Sequence, residues 1–343
     1  MLTALLLRHH AADTLTNLTE LKFAVAPATM STPPFHCDIT CLGSLSRLQS
    51  LDVACTSRIV LPFTPRTVSV AALAWPKLNA LSLSVMGRRE LVPEALALLD
   101  LLSDLRALGL SCALDFSEDD DQATQQEVDP GAGAHVPVDL RYLPRGLQRL
   151  QLERAQMLLA HEPQFTPGLH TLQLDDCLVG DACFQRLLEG TPGLQNLELN
   201  CVLGLSAPGL YIGISQMTGL QRLVLCGLAS AHTQGTAAPQ GQGAHRWSVE
   251  KLSTALSACS PTLVHLEWAP GEPLTEAQLL QVPSCLASFR SLQFLYLDAT
   301  SGAGNDWQAN VRHKLPLCAT TADLAATVMS YDIFSDAFSY SCG

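Results

Sequence analysis

Apolar residues fall along this chain as Leu-x-x-Leu-x-Leu, or a close variant, ten times. The units begin at Leu18, Leu48, Leu78, Leu105, Leu147, Leu169, Leu194, Leu220, Leu263 and Leu292. Seven of the nine intervals lie between 22 and 30 residues, and the other two are 42 and 43. The alternation inside each unit predicts a short strand with its leucines on one side. A unit this small cannot bury its own apolar edge, so the constant interval predicts stacking of neighbours into a solenoid. Each long interval holds roughly 16 extra residues, as expected of a loop inserted in one repeat. The first insertion, 115–137, carries Glu118, Asp119, Asp120 and Asp121 before a Gly/Ala run; the second, 230–245, is rich in Gln and Gly. Neither has an apolar face to bury, so both are expected to be loops.

Helices are expected between strands. Stripes of apolar residues predict them over 91–102, 248–258 and 275–286, with Pro283 expected to bend or end the last. Pro208 and Gly209 blur the pattern over 206–217. The repeat signal stops after about residue 304, and 319–329 predicts a weak closing helix. The organisation is therefore a solenoid of about ten repeats over 1–303, followed by a cap or loose tail over 304–343. Leu2, Leu5 and Leu7 read as one more repeat strand, so the chain opens on a repeat with no visible cap, which fits a fragment of a longer protein.

The unit Leu169-His170-Thr171-Leu172-Gln173-Leu174-Asp175-Asp176-Cys177-Leu178-Val179 resembles the leucine-rich repeat signature L-x-x-L-x-L-x-x-N/C-x-L, with Cys177 at the Asn/Cys position. The Gly180–Leu188 stretch after it resembles a helix start with its apolar face. The resemblance covers about residues 15–300 and is strongest to the ribonuclease-inhibitor-like and cysteine-containing, F-box-type repeat classes. It implies an α/β solenoid, a curved horseshoe with parallel strands on the concave face and helices or turns on the convex face. The chain departs from the signature where Cys201 falls one position early, where Trp268 replaces a leucine, and where units lack Asn or Cys at the ladder position.

Charge narrows the partner. The formal net charge is −12, and only four of the 20 basic residues are lysines. No basic cluster exceeds Arg88-Arg89. Binding phosphates needs several cations on one face, so no nucleic-acid partner is expected, and a basic protein surface fits better. Twelve cysteines spread over 343 residues read as reduced, buried thiols of a cytoplasmic protein. Several, including Cys55, Cys112, Cys177 and Cys226, lie just after the triplets. No stretch is apolar for long enough to span a bilayer, and the N-terminus lacks the basic leader and cleavage site of a signal peptide.

No catalytic signature stands out. There is no Gly-Lys dipeptide for a phosphate-binding loop, and Gly213-Ile214-Ser215 lacks the final glycine of a nucleophile elbow. Cys37 and Cys41 lack a second pair for zinc, and the acidic run lacks the ligand spacing of a calcium loop. No enzyme activity, metal or cofactor is expected.

The candidate surface is the set of strand positions between the leucines, which face the concave side. The early units offer small neutral residues such as Ala80, Ser82, Ala107 and Gly109. The middle units offer Arg149, Gln151 and Glu153, then Gln173 and Asp175, then Asn196, Glu198 and Asn200. Here Glu153, Asp175 and Glu198 stand against one cation, Arg149. The last units offer His265 and Glu267, then Phe294, Tyr296 and Asp298. Exposed aromatics on one strand often anchor a contact; an end cap packed over them is the alternative. The expected function is a non-catalytic protein–protein interaction module that binds its partner through this face. Two further roles stay open by analogy of fold. One is the substrate-recognition part of an F-box-type ubiquitin-ligase receptor. The other is a structural component of a cytoskeletal or ciliary assembly, which would place the chain at the cytoskeleton or cilium.

Overall fold

A computed structural model describes residues 17–25, 35–36, 45–55, 59–60, 74–87, 98–114, 135–158, 167–228, 248–269, 274–297 and 319–320. The strands are β1 (Glu20–Val25), β2 (Phe35–His36), β3 (Ser50–Cys55), β4 (Ile59–Val60), β5 (Ala80–Gly87), β6 (Ala107–Leu114), β7 (Val136–Asp139) and β8 (Arg149–Glu153). They continue as β9 (Ala155–Leu158), β10 (Thr171–Asp175), β11 (Asn196–Asn200), β12 (Arg222–Cys226), β13 (His265–Ala269), β14 (Phe294–Leu297) and β15 (Ala319–Thr320). Eleven of them form one sheet in the order β1-β3-β5-β6-β8-β10-β11-β12-β13-β14-β15, and every pairing is parallel.

The register is set by the repeat. The central leucine of each triplet lies beside that of the next, from Leu21 beside Leu51 through Leu172 beside Leu197 to Leu266 beside Leu295. A slip by one residue would turn every leucine to the opposite face, so burial of one face locks the alignment. The long intervals do not break it, because β6 pairs directly with β8 and β12 with β13. The insertions themselves lie outside the described residues, except for 135–137, where Val136 and Pro137, expected in the first loop, already pair in β7 with Ala155 and Gln156.

A tight corner follows each central strand. Arg154, Asp176, Cys201 and Gly227 occupy the same place in four successive repeats, and all four have positive φ, between 48° and 59°. Each donates its backbone N–H to the last strand residue, or its equivalent, of the next repeat: Asp175, Asn200, Cys226 and Ala269 respectively. The left-handed turn then directs the chain into a second parallel ladder, in which β7 pairs with β9 and single bridges join Gln156 to Leu178 and Leu178 to Leu203. This corner explains the early cysteine: Cys201 is the exposed turn residue, and buried Val202 fills the ladder position. Ala155, Cys177 and Leu228 hold that position in neighbouring repeats and are also buried. Cys177 donates its thiol to the Leu152 carbonyl at 3.3 Å; backbone groups such as Leu178 N–H to Ala155 O carry the bonding nearby.

The opposite side carries α1 (Asp181–Glu189), α2 (Ala207–Ser215), α3 (Val249–Ala255) and α4 (Glu276–Cys285). Each of the last three starts at a hydroxyl residue that accepts a backbone N–H three residues on: Ser206 from Gly209, Ser248 from Lys251 and Thr275 from Gln278. Thr275 and Gln278 form a reciprocal capping box. Pro208, which blurred the sequence pattern, sits in the first turn of α2, where no N–H is needed. Pro283 lies inside α4, which ends two residues later at Cys285. Of the helix expected over 91–102, Leu98–Leu101 forms a 3₁₀ turn and 91–97 is outside the described residues. The closing helix expected from 319 begins instead as a strand, because Ala319 and Thr320 extend the sheet beside Phe294 and Leu295. Between sheet and helices lies one apolar core, in which Leu172, Leu197, Leu223, Phe184 and Phe289 are fully buried.

Candidate interaction surface

The sheet has one face on the core and one open face. From β8 to β14 the leucines are buried, and the residues between them, Val224 of β12 excepted, are partly exposed, as on a one-sided sheet. Gln151, Glu153, Gln173, Asp175, Asn196, Glu198, Asn200, His265, Glu267, Phe294 and Tyr296 all lie on the open face, partly exposed, and Arg149 is exposed at its edge. Asp298 lies outside the described residues.

Several of these side chains join in one network that alternates donor and acceptor. Gln173 donates to Asp175 at 2.9 Å, and Asn200 donates to Asp175 at 2.6 Å and to Glu198 at 3.0 Å. Arg222 donates to the other oxygen of Glu198 at 2.7 Å, and its second terminal nitrogen lies 3.6 Å from Glu267. His265 Nε2 is 2.5 Å from the same Glu267 oxygen, and its ring stacks on Phe294 with centroids 4.1 Å apart and planes 10° from parallel. The network thus crosses five neighbouring strands, β10 to β14. Asn196 stands beside it, donating to Thr171 at 3.1 Å.

Arg222 corrects the expected charge pattern. Arg149 is not the cation of the patch: it projects into solvent at the strand start, while Arg222 is the arginine bound to the carboxylates. The signal was available, because Arg222 holds the third position of its triplet, as Arg149 does in its own. Next to it, Val224 faces the open side yet is only 3% exposed. Arg154 adds a second cation at the corner, 3.8 Å from Glu153 and 3.6 Å from Asp176. His135, also unmarked in the sequence, is buried beside that corner, 3.8 Å from Asp176.

The carboxylates differ in setting. Burial pushes the Asp175 carboxyl above its usual value, helped by the charges of Glu198 and Glu153 and opposed by the hydrogen bonds from Asn200 and Gln173. Burial also works to raise Glu267, but the hydrogen bond and charge of His265, with the charge of Arg222, outweigh it and hold the group low. Burial raises the Cys226 thiol to about 11, reinforced by Glu267 and Glu198, and pushes Cys112 and Cys177 to about 12. These thiols are therefore protonated at neutral pH and are poor nucleophiles. Among the described residues no group of three His, Cys, Asp or Glu side chains is placed to hold a metal ion. Among them too, no helix is long and apolar enough to cross a membrane.

The register and the repeat together define the fold as a leucine-rich repeat solenoid. Similar solved structures include an internalin of Listeria monocytogenes, 15% identical over 92% of this chain and 85% of that one, with a TM-score of 0.45. Mouse RP105, in its complex with MD-1, is 16% identical over 91% of this chain and 53% of that one, with a TM-score of 0.44. A leucine-rich repeat protein of Leptospira interrogans is 13% identical over 90% and 97%, with a TM-score of 0.35. No family model matches the chain, and no curated protein matches it.

Proposed function

We propose that this chain is a non-catalytic interaction module that binds a protein partner through the open face of its sheet, and that the partner's surface is basic. The observation that carries this reading is the charge balance of β8 to β13. Arg222 is already engaged by Glu198 and Glu267, whereas Glu153 and Asp175 lie side by side in register and share no arginine between them. Arg154 reaches Glu153 only from the corner. A partner's cation there would offset what raises Asp175, burial first and the charges of Glu198 and Glu153 after it. Phe294, stacked on His265, and Tyr296 supply apolar area at the other end, where aromatic side chains anchor a contact. Rigid, hydrogen-bonded side chains lose little entropy on binding, so a preformed surface suits this role.

Affinity capture with the intact chain, with identification of what co-purifies, supplies the partner. Its association rate then falls as salt rises, because exposed charges are screened beyond about 8–10 Å at physiological ionic strength. An association rate indifferent to salt contradicts the electrostatic part of the proposal.

A further inference from the structure

The open-face network crosses β12 at a position with no polar side chain. The in-register neighbours there are Glu198, Val224 and Glu267, and Val224 cannot pass a hydrogen bond from one carboxylate to the other. Arg222, two residues earlier on the same strand, closes the gap. One terminal nitrogen meets Glu198 and the other approaches Glu267, so the guanidinium links the two carboxylates that flank Val224. Val224, between those carboxylates, is only 3% exposed. The Glu267 oxygen that Arg222 approaches is the one paired with His265, whose ring lies flat on Phe294.

We infer that Arg222 is the positioning residue of this face: it fixes Glu267, hence His265 on Phe294, and so joins the acidic and aromatic halves into one recognition surface. The inference rests on the reading that the open face is the working one. A planar guanidinium offers two donors in a fixed fork and can hold two carboxylates at once, which a lysine point charge does less well. The titratable or charged groups around Glu267 are His265 on its own strand, Arg222 and Cys226 on β12, Tyr296 on β14, and Glu198 beyond Arg222. Of these, Arg222 alone touches carboxylates on both sides of Val224.

The test uses the whole chain without a partner. Carbon NMR follows the titration of Glu267, and the ring-current shift on His265 reports its stack on Phe294. In Arg222→Gln the Glu267 midpoint moves up, because the guanidinium charge beside it is gone, and the ring-current shift shrinks as the stack loosens. Arg222→Lys keeps the charge and loses the fork, so the midpoint returns most of the way and the stack only in part. A His265 ring-current shift unchanged in Arg222→Gln overturns the inference, whatever the midpoint does, because Arg222 would then act as a charge without positioning anything. Neither readout needs a partner. Failure here therefore leaves the binding reading standing, and a partner found on the helical side would sink that reading without touching the Arg222 clamp.

Discussion

The carboxylate of Asp181, at the start of α1, accepts both the backbone N–H of Ser206 at 2.7 Å and its hydroxyl at 2.5 Å. Ser206 is the cap of α2, so one repeat's acid holds the next repeat's helix start. This leaves no room for a side chain on Gly209, where a Cβ would lie 2.2 Å from the Asp181 carboxyl. Gly209→Ala is expected to cost about 1–3 kcal/mol by overpacking, despite the better helix propensity of alanine. In an Asp181→Ala background the same change costs less, with a coupling of about 1 kcal/mol. A double-mutant cycle by denaturant unfolding checks this, and additive costs would show that the two positions do not press on each other.

The stacked leucines carry the fold. Leu172 and Leu197 are both 0% exposed and lie in register on β10 and β11. Leu→Ala at either should cost about 2–5 kcal/mol, the transfer term plus the cavity left behind. Chemical denaturation measures it. Unfolding at the parent's midpoint would mean that the repeat register is wrong.

Asp175 makes stability depend on pH. Its folded pKa is raised, so the folded state holds the proton more tightly than the unfolded chain does. The resulting stability is fully present below the unfolded value of about 3.9 and is lost as pH rises through the folded value. Asp175→Asn should therefore melt above the parent at pH 7, and its advantage should shrink as pH falls toward 3.9. Melting curves of both proteins across that window decide it; an advantage that grows in acid contradicts the assignment.

Thiol reactivity should follow burial. Cys201 is exposed at its corner, whereas Cys112, Cys177 and Cys259 are buried and their thiols are held protonated. Brief alkylation of the native chain at pH 8, read by peptide mass spectrometry, should modify Cys201 before those three, which stay intact until denaturant is added. Early labelling of Cys177 would mean that the ladder around it opens readily.

The repeat, the strand positions and the inward leucines were legible because a two-residue alternation repeated at a fixed interval admits one parallel register. Three features were not. The left-handed corner accepts Arg154 and Cys201 as well as Asp176 and Gly227, so no residue type announces it. The α2 helix was hidden by Pro208 and Gly209, one tolerated in a first turn and the other required by Asp181 in the neighbouring repeat. The open-face residues could be listed strand by strand. That Arg222 rather than Arg149 bridges the carboxylates depends on which strands become neighbours and how far each side chain reaches.

The central claim is that the open face of the sheet is the working surface, and captured partner on face-specific variants tests it most directly. Glu153→Gln with Asp175→Asn removes the crowded charges and leaves Glu198 to Arg222, while Arg186→Glu changes an exposed residue on α1, on the helical side. The partner should be lost, or associate much more slowly, with the double variant and bind Arg186→Glu as it binds the parent. Full binding by the double variant together with loss of binding by Arg186→Glu would place the working surface on the helices and contradict the claim.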